Sequence, residues 1–465
     1  MSEAAEKLEL DEDALDELYG LSDELVAQVE DALEEGEPAE KVQDLIDPLH
    51  VADVADLLEQ LSSSDRDDFV ELVGDTLDPE VWVHLDENVR EEMVEDLDTD
   101  QMVEIVSELD SDDAIEFIED LDEAEQQEVL EAIPADDRAI LEQSLSFPED
   151  SAGRLMQREV VTVPSFWSVG QTIDYMRDEE IELPDDFYNI VVIDPSHKPV
   201  GIVKLSKLLR TNRDKLVTEL MWEDVKVVPV TMDQEDVAFL FRQYALVESP
   251  VVDDTGRLVG IITVDDIVEV LDEEHEEDIL KMGGVKEDDL YSDVVETTRL
   301  RFSWLLVNLL TAVIASIVIS LFEETLEQLV ALAILMPIVA SMGGNAGTQT
   351  LTVAVRALAT NELTTSNAFR VVWKEVLVGG VNGILFAILM GGLAWAWFND
   401  LALGLVIASA MIINMLAAGM AGTLIPIGLE KVGKDPAIAS TVFLTTITDV
   451  VGFLSFLGLS AWVLL

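Results

Sequence analysis

Cysteine is absent from all 465 residues, which excludes a disulfide framework, a thiolate metal site and a cysteine nucleophile. Bases are scarce: 26 Lys and Arg stand against 96 Asp and Glu, a formal charge of −70. Phosphate contacts need Lys and Arg, so this balance argues against a nucleic-acid partner. The four histidines, His50, His84, His197 and His275, are scattered. No nucleophile and base constellation accompanies them, and an enzyme is the weakest functional class. No apolar h-region opens the chain, so no cleavable signal peptide is expected.

A mean hydropathy of +0.26 in so acidic a chain requires charge and apolar residues to be segregated. Of the 96 acids 87 precede Arg301, as do 20 of the 26 bases. The rest of the chain is close to neutral and apolar. An acidic excess spread over a whole region suits a salt-rich solvent, as in halophile proteins, rather than one ligand.

Five apolar stretches after Arg301 are each long enough for the roughly 20 residues of a membrane helix. They run near 302–322, 329–358, 376–398, 401–428 and 437–465. Arg301, Arg356, Arg370, Lys374, Lys431 and Lys434 all fall on one side of this arrangement, and the other side carries Glu323, Glu324, Glu327 and Asp400. The positive-inside rule then makes the acidic N-terminal part cytoplasmic, in a plasma-membrane protein ending outside at Leu465.

Within the spans the exceptional charge is Asp449. An ionisable group at that depth costs at least about 2.5 kcal/mol and normally faces a watery path or a partner. Its structural alternative is a carboxyl protonated or hydrogen-bonded to Thr445 or Thr448. Span two holds Pro337-Ile338-Val339-Ala340-Ser341-Met342-Gly343-Gly344-Asn345-Ala346-Gly347-Thr348-Gln349. Proline and paired glycine there predict a broken helix whose freed backbone lines a cavity; the alternative is small residues for close helix packing. Neutral oxygens of Asn345, Thr348 and Gln349 suit a hydrated hard cation. Asn382, Asn414 and Pro426 read as further polar kinks along a pathway.

Residues 1–150 carry 54 acids and five bases. Disorder is one consequence of such a balance, but a period opposes it. Leu85, Leu97, Leu109, Leu121, Ile133 and Leu145 recur every 12 residues, several followed by an Asp placed to cap a helix. Short amphipathic units of this kind must stack, which predicts an all-α superhelical acidic N domain.

Residues 151–273 contain a duplication. Leu155-Met156 and Val163-Pro164 reappear as Leu220-Met221 and Val228-Pro229, and Val200-Gly201-Ile202-Val203 as Val259-Gly260-Ile261-Ile262. An insertion in the first copy near 182–187 accounts for the change in spacing. Each copy reads strand, helix, strand, strand, helix. The pattern resembles a tandem of CBS domains, most clearly from Ser249 to Ile267. The resemblance implies adenine-nucleotide binding, ATP included, with Thr263 and Asp266 at the ribose. Lys204 and Lys207 stand at those positions in the first copy, leaving at most one well-formed site.

The whole order resembles the MgtE family of magnesium channels. The resemblance is carried by Phe147-Pro148-x-x-Ser151-Ala152-Gly153-Arg154-Leu155-Met156, Pro337 to Gln349 with Arg356, Lys434-Asp435-Pro436-Ala437, and Thr445-Thr446-Ile447-Thr448-Asp449-Val450-Val451-Gly452-Phe453. It implies a multi-domain membrane protein: an acidic helical N domain (1–150), an α/β CBS pair (151–273), a connecting, plug-like helix (274–300) and a five-helix transmembrane domain (301–465). It further implies a homodimer with one pore, in which Asp449 and the Thr445 carbonyl form the selectivity filter. Gly344, Asn345 and Thr348 would contribute to the same pore. Cytosolic Mg²⁺ would shut it by binding acids matching Asp266, Glu269, Glu274, Glu277, Asp278 and Asp435. The N-domain partners of those acids stay unassigned, since every 12-residue unit offers candidates. Two rivals remain: a carrier coupled to H⁺ or Na⁺, which would need a second titratable group inside the membrane, and a sensor whose spans only anchor the CBS pair.

Overall fold

The computed structural model describes residues 21–94, 97–178, 180–181, 183–184, 187–285, 294–437 and 440–465. The insertion expected near 182–187 lies partly outside these, as do residues 286–293 of the connecting stretch 274–300. The chain forms two units, Met1–Asp272 and Glu273–Leu465.

In the first unit, described helices α1 (Asp23–Glu34) to α10 (Ala135–Leu145) form the acidic repeat. The 12-residue period has a plain physical origin. Asp98 and Asp122 cap α7 (Thr99–Glu108) and α9 (Glu123–Ala132), each closing a reciprocal capping box. The apolar residue before each cap turns inward: Leu97 and Leu121 are buried in one core with Leu85 and Ile133. Bases are spent on stapling. Arg66 and Arg90, both buried, stand two repeat units apart. Arg66 donates to the Leu61 carbonyl at 3.0 Å and pairs with Glu92. Arg90 donates to the Trp82 and Val83 carbonyls at 3.2 Å and pairs with Glu116 at 2.6 Å and with Asp120. Helix C-terminal carbonyls and acids of a later helix are thus satisfied together.

The duplicated segment forms two three-stranded sheets of identical topology. Strand β1 (Thr162–Pro164) runs parallel to β2 (Asn189–Ile193), which is antiparallel to β3 (Pro199–Lys204); β4 (Val228–Pro229), β5 (Glu248–Val252) and β6 (Leu258–Thr263) repeat the order. The copies are interlocked. Gln157, ahead of the first copy, bridges Ile261 of the second, and Trp222, ahead of the second, bridges Ile202 of the first. The repeated Met and Gly residues meet in the same exchange. A Cβ on Gly260 would overlap Met156, and one on Gly201 would overlap Met221. Helix α14 (Val264–Gly283) leaves β6 and crosses into the second unit.

That second unit holds α15 (Val294–Ser320), the short α16 (Glu323–Gln328), α17 (Val330–Ala359), α18 (Ala368–Phe398), α19 (Leu401–Lys431) and α20 (Ser440–Val463). All but α16 include stretches long and apolar enough to span a membrane. Half of the most apolar stretch of α19 is buried against 6% of that of α15, so α19 is central and α15 peripheral. The expected break in span two is absent: α17 runs unbroken through Pro337 and the glycines. Its small residues serve packing instead. A Cβ on Gly343 would overlap the Asn414 amide, and one on Gly347 would overlap Leu444. Asn414 is fully buried rather than exposed along a pathway, and its Nδ2 donates to the Val339 carbonyl at 2.8 Å.

Candidate ion path and acidic clusters

With one face of α17 committed to packing, its other face carries exposed Ser341, Asn345, Gln349 and Thr352, at helical spacing. Asn345 Nδ2 donates to Ser341 Oγ at 3.3 Å, and Thr348 Oγ1 to the Gly344 carbonyl at 3.0 Å. Beside Gly344 there is open space where a Cβ would stand.

Helix α20, which packs on α17, carries exposed Thr445 and half-buried Asp449 one turn apart. The Thr445 hydroxyl donates back to Thr441 at 2.8 Å, and the Thr448 hydroxyl to the Leu444 and Thr445 carbonyls. Neither reaches Asp449, whose carboxylate makes no hydrogen bond or ion pair among the described residues. No hydrogen bond joins it to Asn345 or Thr348 either. Lipid accepts neither an amide nor a carboxylate readily, so this polar face requires water or a second protein surface.

A second acid in the bundle is Glu375, which the apolar run placed just outside span three. Helix α18 begins earlier, at Ala368, and includes Glu375. It is buried, 3.4 Å from Thr350 Oγ1 and 3.2 Å from the Lys374 ammonium.

The acids expected to sense a cation fall into two groups, one in each unit. In the first, Asp266 Oδ2 accepts from the Thr263 hydroxyl at 2.9 Å and its N–H at 3.3 Å, the geometry of a helix cap. The first copy has no such cap: Lys207 donates instead to the Leu220 carbonyl at 2.7 Å. Facing Asp266 are Asp112 and Asp113, on the first turn of α8 (Ser111–Glu119). Burial, then the Asp266 charge, raises the Asp112 carboxyl well above the ordinary range. The same two causes, reinforced by Glu116, Asp110 and Glu269, push Asp113 up to about 8. Burial and Asp265 bring Asp266 to about 6. Ser111 ties the start of α8 to the segment ahead of β1, donating to Glu159 at 2.7 Å and accepting from the Arg158 N–H at 2.7 Å. Nothing in the 12-residue period marks α8 as the unit that meets Asp266.

The other group, in the second unit, is Glu277, Asp278 and Asp435 around Lys281. The ammonium stands 2.9 Å from Asp435 and pairs with Glu277. Burial, then Asp435, raises the Asp278 carboxyl, with His275 opposing. Glu274 lies on the same helix, one turn before Asp278. Among the described residues no three His, Asp or Glu side chains are gathered closely enough to hold a metal ion as they stand.

A bundle of membrane-spanning helices with a polar face, joined to an acidic helical repeat and an interlocked CBS pair, defines a multi-pass membrane protein of the transporter class. Residues 336–459 match the MgtE divalent cation transporter family, 49–150 the MgtE intracellular N domain, and 152–213 and 217–273 CBS domains. The chain is 32% identical to the magnesium transporter MgtE of Bacillus subtilis over 71% of its length and 73% of the relative's. It is 35% identical to the magnesium transporter MgtE of Thermus thermophilus over 70% and 72%. A crystal structure of the cytosolic domain of the Mg²⁺ channel MgtE in complex with ATP is similar at a TM-score of 0.48 and 29% identity, covering 53% of this chain and 99% of that one. The chain belongs to the MgtE family.

Proposed function

We propose that the protein is a homodimeric Mg²⁺-selective channel for uptake, closed when cytosolic Mg²⁺ is plentiful. The observation that carries this reading is the polar face of α17 and α20, with an uncapped, half-buried Asp449. Related by a two-fold axis, two such faces enclose a water-lined path and bring two Asp449 carboxylates together. A pair of carboxylates balances one divalent ion. Mg²⁺ gives up water reluctantly, so it binds through one or two carboxylates and keeps the remaining ligands as water. Neutral oxygens at Asn345, Thr348 and the Thr445 carbonyl suit that hydrated shell. A membrane potential supplies about 2.3 kcal/mol per charge per 100 mV, which drives entry without a pump. By the positive-inside rule the acidic unit is cytoplasmic and Leu465 lies outside.

Gating arises from like-charge repulsion. Asp112, Asp113, Asp266 and Glu269 hold one contact of the clamp, and Glu274, Glu277, Asp278 and Asp435 another. A divalent ion at either offsets the repulsion; without it the contacts loosen. ATP at the CBS pair would meet Thr263 and Asp266, competing with the capping bonds those side chains already make.

Mg²⁺ currents in Asp449→Asn and Asp449→Ala test the reading. Both should fall to background, whereas a membrane anchor for the CBS pair would leave them unaltered. A second reading is a carrier coupled to H⁺ or Na⁺, which needs a second titratable carboxyl on the path; buried Glu375, beside Lys374 and Thr350, is the candidate for it. Flux that tracks an imposed pH or Na⁺ gradient, and loses that dependence in Glu375→Gln, would establish the carrier and reject the channel.

A further inference from the structure

Both oxygens of Asp435 are engaged. Oδ1 accepts from the Ala437 N–H at 2.7 Å, fixing the turn before α20, and Oδ2 stands 2.9 Å from the Lys281 ammonium, which also pairs with Glu277. The Lys281 side chain is only 22% exposed, so its charge is shielded from bulk solvent and salt. Around it the end of α14 is fastened to the bundle. The Met282 carbonyl accepts from the Thr441 hydroxyl at 3.0 Å. The Met282 side chain packs on the cluster formed by Leu351, Val355, Ala421, Ala437 and Leu444. The chain then turns at Gly284, φ +72°, directly against the Trp304 indole, where any Cβ would overlap the ring.

We propose that the Lys281 ammonium is a built-in counter-cation, latching the end of α14 to the start of span five by occupying, between Glu277 and Asp435, the place a divalent ion would take. This rests on the reading that Glu277, Asp278 and Asp435 belong to the gate. Three carboxylates close together repel unless a cation lies among them. A lysine tethered one helical turn from Glu277 is present at high effective concentration whatever the ion content of the solvent. It carries one charge where Mg²⁺ carries two, so it offsets part of the repulsion and leaves the rest for the ion. The docked arrangement therefore survives chelation, and added Mg²⁺ must compete with the lysine for the Asp435 and Glu277 oxygens.

The absence of native cysteine permits a direct test on the full chain in liposomes. Met282→Cys with Thr441→Cys places two thiols at the docked contact, and their rate of oxidative cross-linking reads docking without reference to current. With Lys281 present, cross-linking in EDTA should proceed at close to its rate in Mg²⁺. Adding Lys281→Gln should slow it about tenfold in EDTA, Lys281→Arg should restore it, and Mg²⁺ should restore the Gln variant, which also shows that variant to be folded. Equal rates for Lys281 and Lys281→Gln in EDTA would overturn the latch. A slow Gln variant that Mg²⁺ fails to rescue, though its thermal midpoint in detergent matches that of Lys281→Arg, would reject the divalent clamp at this site while leaving the latch; a lowered midpoint would make the slowing a loss of fold and overturn the latch.

Discussion

Arg90 is worth more to the acidic repeat than its single charge. Its guanidinium ties two carbonyls and two acids, and although burial alone would make it a weaker base, Glu116 and Asp120 raise it above its ordinary range. Removing it leaves Asp120, nearly as buried as Arg90, without a partner. Arg90→Leu should therefore cost about 3 kcal/mol in denaturant unfolding of the full chain. By contrast Lys41, in an exposed pair with Glu37, should cost under about 0.5 kcal/mol when changed to Met.

Helix α17 commits one face to packing and carries exposed polar residues on the other. Gly343 lies against Asn414, so Gly343→Ala should push α17 from α19 and cost about 2 kcal/mol, lowering the thermal midpoint in detergent. Gly344 faces open space, and Gly344→Ala should leave that midpoint nearly unchanged. Helix α8 presents the electrostatic counterpart. Because Asp113 and Asp266 titrate near 8 and 6 in the folded chain, well above free carboxyls, the folded state binds more protons than the unfolded one. Stability from this contact is greatest below about pH 4 and falls as pH climbs toward 8, levelling beyond. In EDTA the midpoint for the acidic unit should drop between pH 5.5 and 8, and Asp113→Asn should flatten that slope.

Across the whole molecule, acids outnumber bases nearly fourfold, so most acids cannot each be paired with a base of their own. Self-repulsion on such a surface is weakened by salt, whose screening length is about 3 Å at 1 M, and we propose that the surface is salt-adapted. Circular dichroism of the acidic unit should show unfolding as KCl is withdrawn; full stability in dilute buffer would reject a salt-adapted surface. Under the proposed gating, the same screening would weaken the carboxylate clamp, so the Mg²⁺ concentration that halves the current should shift between low and molar KCl.

Sequence alone determined the class of each part, because each rests on a periodic pattern. The 12-residue Leu-Asp period became capped helices with buried leucines, the duplicated Leu-Met and Val-Gly blocks became interlocked sheets, and apolar length became membrane helices. Pairings between parts were decided only by tertiary structure. Proline and glycine in span two predicted a break, yet neighbouring helices packed against Gly343 and Gly347 hold α17 continuous. In a chain with 96 acids, composition could not single out Asp112 and Asp113 as those facing Asp266, or Lys281 as the cation on Asp435. Periodicity is written locally along the chain, whereas contact between distant charges depends on how its elements are finally packed.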